Sequence, residues 1–191
     1  MLALLLGGCS FDLGSWSPAP DKQAQPKPIA QPTPEISAKN ISDAQEVAVQ
    51  GRTLARSGKT EEALAEFEKA LALDPYNAQA LYSRGLIYQG EKQHEKAIED
   101  FSSAHGLTPQ RAEPLVARAV SYLALDKVKE AVTDLDEAVQ ADPNSAPAWA
   151  NRGLAYERLG DKEKARTSYS RAIAIRPRDD AAKHGLARVG G

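Results

Sequence analysis

Residues 149–177 read WANRGLAYERLGDKEKARTSYSRAIAIRP, two amphipathic stretches parted by Gly160 and Asp161. Glycine followed by aspartate is the pairing that ends one helix and caps the next, so the segment predicts a helical hairpin running to Pro177. Toward the N-terminus the same hairpin recurs three times at one fixed spacing. Pro177 answers to Pro143, Pro109 and Pro75, and Ala165 to Ala131, Ala97 and Ala63. Tyr169 answers to Leu135, Phe101 and Phe67, and Ala172 to Ala138, Ala104 and Ala70. On the first helix of each unit, Gly153, Ala119, Gly85 and Gly51 share one column, and Tyr156, Tyr122, Tyr88 and Leu54 share another, one helical turn on.

The columns have a physical reading. Small residues occupy the place where two helices approach closely, and large ones fill the gap beside them. Helices of about 12 to 15 residues are marginal alone, so stacking of neighbouring units must supply the stability. Ser42 with Gln45 is expected to open the first helix as a capping box. Asp179 or Asp180 is expected to cap a ninth helix whose Ala182, Leu186 and Val189 cover the end of the stack.

This pattern resembles the tetratricopeptide repeat, whose signature is W-x2-L-G-x2-Y, then A-x3-F, then P, at a 34-residue period. Trp149, Gly153, Tyr156, Ala165, Tyr169 and Pro177 carry it in the fourth unit. The resemblance implies an all-α fold: a right-handed superhelical solenoid of four helix-turn-helix units plus a C-terminal capping helix. The repeats would span residues 42–178, in units near 44–77, 78–111, 112–145 and 146–179, with the cap at 179–191. It also implies a non-enzymatic interaction protein that takes a protein or peptide partner in its concave groove.

A chain of 191 residues with 42% hydrophobic and 26% charged residues has ordinary globular composition. Its formal net charge of -2 supplies no basic field, so nucleic acid is not an expected partner. No apolar run approaches the roughly 20 residues that span a bilayer as a helix.

The N-terminal segment is organised differently. Cys9 is the only cysteine and follows Leu2 to Leu6 and two glycines. LLLGGCS resembles the lipobox of bacterial lipoproteins, with Leu6, Gly8 and Cys9 at its defining places. That resemblance implies cleavage before Cys9 and lipidation of its thiol and amine, with each buried methylene adding about 0.8 kcal/mol of membrane affinity. Only eight residues precede Cys9 and none is basic, so the expected leader is longer than residues 1–9. Residues 10–41 hold Pro18, Pro20, Pro26, Pro28, Pro32 and Pro34, half of the 12 prolines, and are expected to form a disordered, extended tether. Ser10 after the cysteine implies, by the lipoprotein sorting rule, an outer-membrane anchor facing the periplasm. The alternative is a cytosolic repeat module with an apolar N-terminus and an incidental cysteine.

The chain shows no constellation for chemistry. His94, His105 and His184 have no further His or Cys at ligand spacing and are expected in separate elements, so neither a metal nor another cofactor is expected, nor a small-molecule substrate. Phosphate-cradling and nucleophile-elbow motifs are missing. Two arrangements remain. Arg84, Arg118 and Arg152 recur at the repeat spacing, and Asp100 and Asp134 stand at one constant separation after the first two; Ser168 takes that place after Arg152. They are read as structural ion pairs, because a partly buried guanidinium needs such a partner, against the alternative of a ladder gripping an acidic ligand.

The second arrangement is the face that the family turns into its groove. At i, i+4 and i+7 the first helices present Ala48, Arg52 and Ala55; Tyr82, Leu86 and Gln89; Val116, Val120 and Leu123; then Ala150, Leu154 and Glu157. Tyr82, Leu86, Val116, Val120 and Leu123 form an expected apolar binding strip, continued by Leu154, against the alternative that they only pack one repeat on the next. Asn151 matches the asparagine that related repeats aim at a ligand backbone. The subclass that clamps a terminal carboxylate is excluded, since its places hold Ala48, Arg52, Ser83, Glu113 and Ala117. The family's lipid-anchored members imply a scaffold that recruits cell-wall hydrolases or assists pilus or outer-membrane assembly. The remaining alternative is a self-associating structural protein.

Overall fold

Each repeat completely buries the two alanines of its second helix that recur at the repeat spacing, and that burial sets how closely its two helices pack. A computed structural model describes residues 36–190. Residues 1–9, with Cys9 and the lipobox, and the proline-rich stretch to residue 35 lie outside the described part. Nine α-helices and no strand make up the described residues: α1 Ala38–Arg56, α2 Thr60–Leu73, α3 Ala78–Gly90, α4 His94–Leu107, α5 Ala112–Ala124, α6 Val128–Ala141, α7 Ala146–Arg158, α8 Lys162–Ile175 and α9 Asp180–Arg188. Helices pair as α1/α2, α3/α4, α5/α6 and α7/α8, each pair packs on the next, and α9 closes the stack against α7 and α8.

The core follows the columns. Ala63, Ala97, Ala131 and Ala165 are fully buried, as are Ala70, Ala104, Ala138 and Ala172. Above them sit Phe67, Phe101, Leu135 and Tyr169, at most 2% exposed. A Cβ on Gly85 would lie 2.7 Å from Phe101 Cε1, and one on Gly153 would lie 2.6 Å from Tyr169 Cδ1, so glycine is what lets the ring slide under the neighbouring helix. In the third repeat Ala119 is tolerated because Leu135 replaces the ring.

The turns repeat as faithfully as the core. Gly58, Lys92, Asp126 and Gly160, one per repeat, have φ of 77°, 62°, 58° and 80°. The residue after each donates its N–H back to a carbonyl in the last turn of the first helix: Lys59 to Leu54, Gln93 to Tyr88, Lys127 to Tyr122 and Asp161 to Tyr156, at 2.8–3.0 Å. This is the Schellman arrangement, which satisfies the orphan carbonyls of the first helix and needs one left-handed residue.

Two sequence expectations are corrected here. The first helix opens before residue 42, at Ala38, because Ser37 Oγ accepts the Asn40 N–H at 3.1 Å; Ser42 and Gln45 are inside the helix. Helix therefore occupies residues 38–41, assigned above to the tether. At the other end Asp179 caps α9, accepting the Ala182 N–H at 3.0 Å, with Ala182 and Val189 buried and Leu186 packed beside them.

Candidate protein-interaction groove

The arginine column is built as a series of rivets. Arg84 donates from Nε and Nη2 to the two carboxylate oxygens of Asp100 at 2.9 and 2.7 Å, and Arg118 makes the same fork with Asp134 at 2.8 and 2.7 Å. Arg118 also donates from Nη1 to Ser102 Oγ at 2.9 Å, in the preceding repeat. Arg152 reverses the arrangement. Its carboxylate is Asp136, 2.6 Å away and upstream in the third repeat, while Ser168 accepts Nη1 at 2.8 Å downstream. The carboxylates and burial hold the Arg84 and Arg118 guanidiniums in place, and hydrogen bonding to Asp100 and Asp134 raises their pKa. These side chains are engaged in the body of the stack.

Further bonds cross between repeats. Gln89 Nε2 donates to Ala117 O at 2.7 Å and to Ser121 Oγ at 2.8 Å, tying α3 to α5. Tyr156 Oη donates to Asp136 at 2.9 Å, and Arg158 Nη1 to Leu123 O at 2.6 Å, tying α7 to the third repeat. Arg188 grips Glu157 at 2.7 and 3.0 Å, and Tyr169 Oη donates to the same carboxylate at 2.6 Å, so one acid joins α7, α8 and α9. Those donors hold Glu157 below the usual carboxylate range, and burial with the Glu157 charge pushes the Tyr169 phenol up. Among the described residues no side-chain hydrogen bond links α1 or α2 to α3 or α4, Asn77 only capping α3 locally by accepting the Ala80 N–H; that joint between helix pairs is apolar, with Phe67, Ala70 and Ala80 at its centre.

The first helices of successive repeats form one wall, and three of its depressions take in the residues expected in the groove. One, of about 360 Å³, lies between α1 and α3 and is lined by Arg52, Ala55, Arg56, Gln79, Tyr82, Leu86 and Ile87, with Phe67 and Ser83 at its base. The next, of about 300 Å³, is lined by Tyr82, Leu86, Gln89, Val116 and Val120, with Glu113, Ala117, Ser145 and Pro147 around it. Tyr82 and Leu86 line both, so the two form a continuous groove, and Leu86 is 42% exposed. The third, of about 230 Å³ between α7 and α9, takes in Asn151, Leu154, His184 and Arg188.

Of the residues expected in the binding strip, Tyr82, Leu86, Val116 and Val120 meet in the groove. Leu123 does not. It is 5% exposed and packs in the core with Leu135 and Ala155, because α7 crosses over the end of α5. Leu154 and Asn151 are separated from the strip, in the depression beside α9, and Asn151 Nδ2 donates to Pro147 O at 2.9 Å within its own helix. His94 and His105 share α4 and do not fall in separate elements; among the described residues no three His, Cys, Asp or Glu gather around a common point. Sequence reasoning missed Asp136, Arg56, Gln79 and Ile87. Applying the Arg84–Asp100 separation in both directions from each arginine would have found Asp136.

The repeats match known profiles. The TPR repeat matches residues 51–92, and the tetratricopeptide repeat matches 78–111 and 116–180. No curated protein matches the chain. Among solved structures it is similar to MamA, at 24% identity over 73% of this chain and 81% of that one, with a TM-score of 0.68. It is similar to PilF of Pseudomonas aeruginosa, at 20% identity over 79% and 69% of the two chains, with a TM-score of 0.72. A third is the first TPR of Spaghetti (RPAP3) bound to the HSP90 peptide SRMEEVD, at 25% identity over 59% and 89%, with a TM-score of 0.58. The first two likenesses concern the fold alone.

Proposed function

Since this chain is a tetratricopeptide repeat protein, we propose that it is a non-enzymatic adaptor that holds a protein partner in the groove between α1, α3 and α5. The observation that carries the reading is the strip of Tyr82, Leu86, Val116 and Val120, which runs unbroken across two repeats and leaves Leu86 exposed. A contiguous apolar strip in a polar surface is what an interaction site looks like before its partner arrives. That a related domain is recorded with a peptide bound makes an extended or helical peptide segment the natural occupant.

The N-terminal sequence supports a bacterial envelope as the adaptor's place of work. Leu6, Gly8 and Cys9 support lipidation at Cys9, Ser10 supports the outer membrane, and the six prolines between Pro18 and Pro34 support a spacer that holds the repeats away from the lipid. Recruitment of cell-wall hydrolases or assembly of pilus and outer-membrane machinery is the work this arrangement suits.

The test is crosslinking in intact cells of the native host, from the full gene, followed by capture on a C-terminal tag and mass spectrometry of the N-terminus. Leu86→Glu with Val120→Glu should lose the captured partner while circular dichroism stays helical. Cys9 should carry acyl chains, and Cys9→Ser should move the protein to the soluble fraction. Retained partner in the double variant would overturn the groove reading, and an intact, unmodified Met1 would overturn the anchor.

A further inference from the structure

The groove has one cationic position that the rivets do not explain. Arg52 occupies the column that holds Leu86, Val120 and Leu154 in the other repeats, so an arginine stands where the stack otherwise places an aliphatic side chain. It is partly buried, lines the depression between α1 and α3, and its Nε is buried without a hydrogen-bond partner. Among the described residues no carboxylate pairs with it. The contrast with the other half-buried arginines is direct: Arg84, Arg118 and Arg152 each hold an aspartate. Arg166 also has an unpartnered Nε, but its two Nη atoms reach Glu163 and Val189 O. A buried polar atom with no partner is costly to keep, and such a group facing a groove points to an acceptor brought by a ligand.

A second cation extends the position. Arg56 follows Arg52 by one helical turn, lines the same depression and has no salt-bridge partner among the described residues. Side chains at i and i+4 start about 5–6 Å apart, close to the roughly 6.5–7 Å between alternate residues of an extended strand. From Arg52 the surface passes directly to Tyr82 and Leu86 and on to Val120. The charge lies at one end of an apolar run.

We propose that the α1 end of the groove is an acid-recognition subsite, which takes Asp or Glu side chains of a partner peptide while the apolar residues that follow them lie over Tyr82, Leu86 and Val120. This rests on the groove reading above and specifies its partner: an acidic–apolar segment, its acidic part set at the first repeat. Internal carboxylates are the source, because a paired guanidinium face suits two side chains, and two uncharged polar side chains that line the same depression, Gln79 and Ser83, are bonded to each other at 3.1 Å. The ligand would also bridge α1 to α3, across the one joint between repeats that has no polar tie of its own.

The test selects dodecamers from a random phage-displayed library on the full chain and measures C-terminally amidated copies by fluorescence anisotropy. Selected peptides should carry acidic residues beside aliphatic ones, and their affinity should fall with added salt. Arg52→Gln should weaken binding at least tenfold, Arg56→Gln less, and Arg52→Glu should favour copies with Lys in place of the acids. Arg52→Gln and Arg52→Leu should melt at the same temperature as the parent or higher, since no internal bond is lost. Peptides without acidic preference, or full affinity in Arg52→Gln, would overturn the subsite. If such peptides still depended on Leu86 and Val120, the groove reading would stand. Loss of binding on amidation would replace side-chain carboxylates by a terminal one and overturn the proposal. Failure to select any peptide, or binding indifferent to Leu86→Glu with Val120→Glu, would overturn both readings.

Discussion

The third and fourth repeats are neighbours in one stack and close the same helix crossing with different atoms. The third sets Ala119 over Leu135; the fourth sets Gly153 over Tyr169. Only the fourth is followed by a single capping helix instead of a full hairpin. Tyr169 fills the space above Gly153, reaches toward Gly185 of α9 and hydrogen-bonds Glu157, whose carboxylate Arg188 also grips. The internal repeat needs a filled crossing, and the last one needs a crossing that also anchors its cap. The arginines differ in the same spirit. Arg118 pairs within its own repeat, with Asp134, and Arg152 pairs backward, with Asp136. The contact is kept while its direction changes.

The largest effect should come from moving one crossing toward the other. Tyr169→Leu should cost about 3 kcal/mol, because it opens a gap between Gly153 and Gly185 and removes the phenol bond. Gly153→Ala alone should also destabilise, as its Cβ would meet the ring. The double variant recreates the third repeat's pairing, so its cost in denaturant unfolding should be less than the sum by roughly 1 kcal/mol. Strict additivity would show that the two residues do not share the crossing.

The arginine contrast predicts a smaller, graded effect. Arg118→Gln leaves Asp134, whose side chain is 6% exposed, without its cation and should cost about 2–3 kcal/mol. Arg152→Gln leaves Asp136, 37% exposed and still bonded by Tyr156, and should cost about 1 kcal/mol or less. Equal losses in paired thermal melts would mean that burial does not set the difference.

The smallest effect concerns the turns. Asp126 holds φ of 58° where the fourth repeat has Gly160 at 80°. Asp126→Gly should stabilise by about 0.5–1 kcal/mol, and Gly160→Asp should destabilise by about as much, read as opposite shifts in melting temperature.

Much of this was legible in the sequence because a helical hairpin of constant length turns spatial contact into constant spacing. Asp100 follows Arg84 at the same separation as Asp134 follows Arg118, because both pairs span the same hairpin. Contacts between repeats were harder to read. Asp136 serves an arginine of the following unit, and Leu123 follows the groove periodicity until α7 covers it. The Ser42–Gln45 spacing mimicked a cap inside a helix whose true start, Ser37, has no such motif after it. Arg52 was visible as an exception in its column, but the missing partner that gives it meaning is a property of the packed α1–α3 surface.

The joint between the first two repeats, held by Phe67, Ala70 and Ala80 without a polar tie, makes the solenoid mechanically uneven. Directional bonds act as stiff springs and apolar contacts as soft ones, so in a series of springs the compliance gathers at the softest member. Under load or thermal agitation the first hairpin should tilt against a rigid remainder. The curvature of the groove would then be adjusted at its α1 end alone, and amide exchange should be fastest there among the buried first helices.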